Sequence, residues 1–293
     1  MHLLQSLPLQ TLLLLSSLLS PVSSTPTPPV LPPPSAPPTG GGGGESLQDR
    51  SAHLSTHVNP PGPPPASFQF RPQVVEDKYF QEPGGSEVLG HYDARFFRGI
   101  VEYDAHRPAL RHLIRSYLTT FRRLGVETWL AHGTLLGWWW NGRVMPWDYD
   151  LDVQVSASTL TYLTEAGYNR TYHEYRYVDD DNTGQEQTKT YLLDINPWHT
   201  TKERLQGQNV IDARWVDISN GMFIDITGLR ERDPEYAPGI WSCKNYHRYR
   251  TRDLYPMRES EFEGVTATIP FDFEKVLIQE YGTKSLVATE WEG

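Results

Sequence analysis

From position 108 onward, apolar residues recur at helical spacing. Leu110, Leu113, Ile114, Tyr117, Leu118, Phe121 and Leu124 fall on one face, and Gly125 ends the run. The spacing predicts an amphipathic helix that begins around Pro108, with Arg111, Arg115, Arg122 and Arg123 mainly on a solvated face. Next, the apolar Trp129-Leu130-Ala131, the turn-prone His132-Gly133-Thr134 and Leu135-Leu136-Gly137 predict strand, tight turn and helix start. This second helix carries Trp138-Trp139-Trp140; at about 100° per residue the three rings cannot all face one core, so either packing or stacking on a ligand ring is open to them. Gly142 closes the helix, and Pro146-Trp147 sets an extended entry into the segment 148–153. There the period changes to two. Asp148, Asp150 and Asp152 alternate with Tyr149, Leu151 and Val153, the pattern of a β-strand with its three acids on one face.

Further along, 156–166 reads as a helix stopped by Gly167, 169–187 as a polar loop and 191–195 as a strand broken by Asn196-Pro197. The segment 221–227 is a strand with apolar flanks and a lone acid, Asp225; 271–281 is a closing helix. Strands and helices mixed in this order predict one α/β (α+β) domain over 68–293, a mixed sheet flanked by helices. In front of it, residues 1–24 hold an apolar run at 12–19 followed by Pro21 and small residues, the form of a signal peptide or signal anchor. Residues 25–67 are rich in Pro, Ser, Thr and Gly and too poor in apolar side chains to offset their ordering entropy; they are expected to be a disordered stalk.

Charge and composition narrow the function classes. A net charge of −10 with no basic stripe excludes a nucleic-acid partner. Cys243 is the only cysteine, which excludes an intramolecular disulfide and any cysteine-rich zinc site. None of the ten histidines forms an HExxH pair. A membrane partner is expected only if the N-terminal segment is retained as an anchor. An N-terminal signal would bring the chain into the secretory pathway, to the Golgi lumen or outside the cell, where Asn169-Arg170-Thr171 is a glycosylation sequon.

The chemistry concentrates in 129–155. Neighbouring acids on one strand face stand roughly 7 Å apart, and like charges on a half-buried strand resist desolvation, so a hard cation with oxygen ligands is their natural compensation. Upstream, Gly133 lets the backbone approach a phosphate, with Thr134 as helix cap and His132 beside it; Arg143 is a candidate phosphate fork. Asp225, a carboxylate inside an apolar strand, needs a metal or a buried Arg, and is taken as the third metal acid with Asp194 in reserve. A calcium loop counted from Asp148 fails, because Val153 and Thr159 occupy the positions of its glycine and its bidentate glutamate.

Together, HGTLLGWWW, the following arginine and PWDYDLD resemble the signature of the LicD/fukutin family, and the resemblance extends over roughly 129–281. It implies a nucleotidyltransferase-like fold, a Gly-Ser/Thr turn for phosphates, a D-x-D strand for Mg²⁺ (or Mn²⁺) and a third acid on a later strand. Carried onto this chain, His132, Gly133, Thr134 and Arg143 bind donor phosphate, and Asp150, Asp152 and Asp225 hold the metal. Asp148 is a further ligand or a base. After Gly282 the chain departs from the pattern, with Lys284-Ser285-Leu286 where relatives often carry a Trp and a Pro.

The function so implied is transfer of a phospho-linked group, mannose phosphate by analogy with fungal members, from a nucleotide-diphosphate-linked donor to a glycan or glycoprotein acceptor. Two alternatives stand beside it. A D-x-D glycosyltransferase would lack the Gly-Thr seat before the acids, whereas a non-catalytic regulator of a glycan phosphotransferase would keep the fold without turnover.

Overall fold

The computed structural model describes residues 78–178, 184–204 and 209–287. The signal segment 1–24, the stalk 25–67 and the first residues of the expected domain lie outside the described residues. Among those described, no helix is long and apolar enough to cross a membrane.

The first helix, α1 (Tyr103–Leu124), begins five residues earlier than the sequence pattern suggests, and Pro108 lies inside it. As the sixth residue of α1, Pro108 removes the bond its amide would have made to the Asp104 carbonyl; both positions are exposed, so water can satisfy that carbonyl, and the Asp104 carboxylate favours the helix start through the dipole. The predicted stripe is the buried one. Leu113, Ile114 and Tyr117 are fully buried, and Tyr117 and Phe121 meet Trp215 edge-on.

A central mixed sheet runs β1 (Trp129–Leu130), β2 (Asp152–Ser156), β6 (Phe223–Glu231), β5 (Ala213–Asp217), β4 (Glu186–Ile195), β3 (Thr171–Val178). A short extension adds β7 (Ile240–Ser242) and β8 (Arg248–Arg250) to β6. Only β2 and β6 run parallel, with Asp152 level with Asp225; every other described pairing is antiparallel. Helices α1 and α3 (Ala157–Glu165) pack on the sheet, and α2 (His132–Asn141) and α5 (Phe273–Tyr281) pack on each other beside β2. The hairpin β9 (Arg258–Phe262) and β10 (Val265–Ile269) lies against α1 and β1, with the single turn α4 (Thr251–Leu254) leading into it. This is the mixed sheet flanked by helices that the pattern predicts.

The polar segment 169–187 is a correction: it contains β3, half of a long hairpin with β4, and the start of β4 itself. Its inward residues are His173, Tyr175 and Tyr177, whose rings pack against Trp215, Tyr191 and His112 respectively. Such side chains bury a flat body while keeping a polar atom, which disguises a strand as a loop. The sequon asparagine sits in the turn before β3, half-buried, with its Oδ1 accepting from the Ile195 amide.

The three consecutive tryptophans are structural. Their indole N–H groups donate to Ser260 Oγ, the Leu286 carbonyl and the Ser285 carbonyl, and two of the rings meet Phe273. The residues after Gly282 are thus held onto α2 by Trp139 and Trp140, although they depart from the expected pattern. Gly137 on the same helix admits no side chain, since a Cβ would stand 2.6 Å from the Arg143 carbonyl.

Candidate active site

The acids do not share one strand. Asp148 ends a turn whose amide bonds to the Met145 carbonyl, Asp150 is exposed in extended chain, and β2 begins only at Asp152. The reason lies in pairing: the β2 register with β1 and β6 starts where partners exist, and only the Asp225 amide reaches back to the Leu151 carbonyl. All three acids nevertheless line one cavity of about 440 Å³, together with His132, Gly133, Trp140, Trp147, Tyr281 and Lys284.

Strand and helix follow one another as expected, but the residues read as a separate turn, His132 to Thr134, are the first turn of α2, and the cap differs too. Ala131 is the N-cap and makes no side-chain bond. Thr134 is buried in the first turn, and its hydroxyl accepts the Asp152 amide at 2.8 Å, which locks the start of β2 onto α2. Gly133 lies close to one of the acids: a Cβ there would stand 3.2 Å from Asp148 Oδ2. His132 adopts φ 49°, uncommon for a residue with a Cβ, and is held there by a 2.9 Å bond from Nδ1 to Glu280 Oε2. Burial disfavours its charge, yet Glu280, Asp152 and Asp150 raise its pKa above the usual value, while the Glu280 carboxyl is lowered. Gln154 closes the network: its Oε1 accepts from the Trp129 indole, and Tyr249 donates to the second Glu280 oxygen.

Arg143 is not part of this cavity. Gly142, left-handed at φ 67°, turns the chain away, and Arg143 lines a separate cavity with Arg107, Arg111 and Glu263. Asp225 neighbours Asp152 across the parallel pair, but its Oδ1 accepts from Arg214 Nε at 2.8 Å, and Arg214 also reaches Glu82 at 2.7 Å. The reserve acid Asp194 is fully buried and committed to Arg95 and to the Tyr79 hydroxyl.

The electrostatics separate the acid cavity from the rest of the chain. The buried carboxylates Asp93, Asp194, Asp212, Asp217 and Asp253 each have a Lys or Arg within ion-pair distance. Among the described residues, Asp148, Asp150 and Asp152 have none. Burial and the neighbouring Asp150 push the Asp148 carboxyl up to about 7. Burial, opposed by His132 and reinforced by the other acids, pushes Asp152 up to about 8. Asp148 Oδ2 is buried without a hydrogen-bond partner. Hard oxygen donors carrying uncompensated charge are what Mg²⁺ takes, so the donor chemistry fits. No group of three His, Cys, Asp or Glu side chains among the described residues is drawn together closely enough to enclose an ion.

Sequence reading missed Arg214, Glu280 and Lys284. Glu280 stands 148 residues from His132 and carries no local signal. Arg214 lies close in sequence to Arg204, Asp212 and Asp217, and no local pattern distinguishes it from them.

Comparison with known proteins agrees with this geometry. Residues 125–272 match the model for the LicD/FKTN/FKRP nucleotidyltransferase domain, a span that contains the glycine turn, the acids and Asp225. Two relatives from Saccharomyces cerevisiae are similar: Mannosyltransferase regulator 4, 31% identical over 67% of this chain, and Mannosyltransferase regulator 14, 33% identical over 53% of it. The match spans only 17% of the length of each relative. With the family model covering half the chain, including the whole acid cavity except its C-terminal wall, the chain belongs to the LicD/FKTN/FKRP family.

Proposed function

We propose that the chain is a Mg²⁺- or Mn²⁺-dependent phosphotransferase that moves a phospho-linked group, with mannose phosphate the leading candidate, from a nucleotide-diphosphate donor to a glycan in the secretory pathway. The observation that carries this reading is the contrast in charge pairing. The buried Asp93, Asp194, Asp212, Asp217 and Asp253 each meet a Lys or Arg of the chain, whereas among the described residues the half-buried Asp148 and Asp152 and the exposed Asp150 meet none around a cavity of about 440 Å³. The family membership and the relatives' names as regulators of mannosyltransferases support the glycan context.

In this reading Asp150 and Asp152 hold the cation, with Asp225 as a third ligand through the oxygen that Arg214 does not engage. The bound ion would neutralise the donor diphosphate and aid departure of the nucleoside monophosphate. Gly133 leaves room for the phosphates, and Lys284 and His132 line the same cavity as positive or proton-bearing groups. The acceptor hydroxyl attacks the phosphorus of the transferred group; its proton passes to a carboxylate, for which Asp148 is placed, as the bridging P–O bond breaks. The N-terminal apolar run and the sequon at Asn169 support the lumenal setting.

One observation favours a second reading, a non-catalytic regulator: Asp225 already carries a buried arginine, and both relatives are named as regulators. A screen of CDP- and GDP-linked donors, reading Mg²⁺-dependent release of nucleoside monophosphate, separates the two. Release that disappears in Asp152→Asn establishes the enzyme. Donor binding without release in the presence of a glycan acceptor would leave the regulator.

A further inference from the structure

A second cavity of about 550 Å³ meets the acid cavity at His132, Asp152 and Tyr281, which line both. Its character is different. No Lys or Arg lines it; its basic groups are the imidazoles of His132 and His247, and the carboxylates Asp152 and Glu280 disfavour a phosphate there. What it offers are hydrogen-bonding groups of mixed kind: the Thr227 hydroxyl, the exposed amides of Asn245 and Gln279, and the His247 imidazole. Thr227 is 5% exposed and its Oγ1 has no protein partner, an orphan that a buried hydroxyl seldom remains. Cys243 Sγ stands 3.3 Å from Nδ1 of His247, leaving Nε2 as its second polar atom. Tyr281, 43% exposed, supplies a flat ring where the two cavities meet. A few convergent polar groups beside one aromatic face is the lining that suits a polyhydroxyl ligand.

We infer that this second cavity seats the acceptor as a neutral sugar, with one hydroxyl reaching the shared wall at Asp152 while the remaining hydroxyls bond to Thr227, Asn245 and His247. The inference rests on the reading of the acid cavity as the donor site, because it places the acceptor on the other side of the same carboxylate. A lining that lacks Lys and Arg and includes the Glu280 carboxylate then sorts the two substrates by charge: the diphosphate goes to the cavity that holds Lys284, and the uncharged sugar goes to the one that does not.

The test uses the full chain, saturation-transfer NMR with α-linked mannobiose, and separate calorimetric titration with GDP and Mg²⁺. Thr227→Val keeps the shape and removes only the orphan hydroxyl, so the melting temperature should hold or rise. Mannobiose affinity should fall on the order of fivefold in Thr227→Val and in Asn245→Ala, the worth of one hydrogen bond, with GDP affinity unchanged in both. GDP binding with no mannobiose signal, or mannobiose binding equally well to both variants and wild type, would overturn the sugar site and leave the donor reading standing. Mannobiose binding that weakens in the variants while GDP never binds would uphold the sugar site and overturn the donor reading; absence of both would overturn both.

Discussion

Asp152 and Asp225 are direct neighbours on the one parallel strand pair of the sheet, yet the chain treats them in opposite ways. Beside Asp225 it buries Arg214, 3% exposed, stacked 3.6 Å over Phe223 and bonded on to Glu82. Beside Asp152 there is no cation of the chain at ion-pair distance among the described residues, only His132 and further acids. The paired side is a structural ion network in which Arg214 is shared between Asp225 and Glu82, with its Nη1 left without a hydrogen-bond partner. Its neighbour has no such cation, and the proximity of the two shows that the difference is local to these side chains and not a property of the sheet.

The comparison can be broken most forcefully from the paired side. Arg214→Met would strand Asp225 without its cation and leave Glu82 with Lys78 alone, and removal of one partner from a buried pair costs about 3–5 kcal/mol. Urea unfolding at neutral pH should show a loss of that order, shrinking at acid pH as the carboxyls protonate; a loss under about 1 kcal/mol would mean the network is not structural.

On the unfinished side the sign reverses. In EDTA at pH 8, Asp152→Asn should be more stable than wild type because it removes repulsion. It should also lose the stabilisation by Mg²⁺, which is about 2.7 kcal/mol at a hundredfold excess over the dissociation constant. Melting curves with and without the ion check both halves, and a wild type indifferent to Mg²⁺ even with GDP present would remove the metal from the reading.

The pH dependence follows from the same two groups. Asp148 at about 7 and Asp152 at about 8 keep protons in the folded state that the unfolded chain releases near about 3.9. Between those values the native state binds more protons, so stability without metal should fall as pH rises from about 4 to about 8 and level off above. Asp152→Asn should flatten the upper part of that slope, as thermal melts in EDTA across the range would record. Smallest of all is the expected effect of Arg143→Ala. Being exposed and in a separate cavity, it should change stability by less than about 0.5 kcal/mol and leave GDP affinity unaltered.

Much of this was legible in the chain, and what was legible was local. The stripe of α1, the helix that follows Trp129-Leu130 and the lone acid in 221–227 are periodic or nearest-neighbour signals, and each appears where the spacing puts it. The errors share one cause. Alternation from Asp148 to Asp152 looks like a strand, but a strand exists only where a neighbour offers hydrogen bonds, and β6 offers them from Asp225 onward. The tyrosines and histidine of β3 look like loop residues until Trp215 and α1 cover their rings.

The sequence by itself therefore determined the fold class and the places of α1, α2 and β6, because those follow from period, from helix and strand signals and from the cost of burying charge. Only the tertiary structure decided which cation each acid receives. Arg214 completes Asp225, Arg143 is turned away by a left-handed glycine, Lys284 joins the acid cavity, and Glu280 holds His132 in place. An ion pair depends on where side chains meet in space, and residues 148 positions apart leave no trace of their meeting in any local pattern.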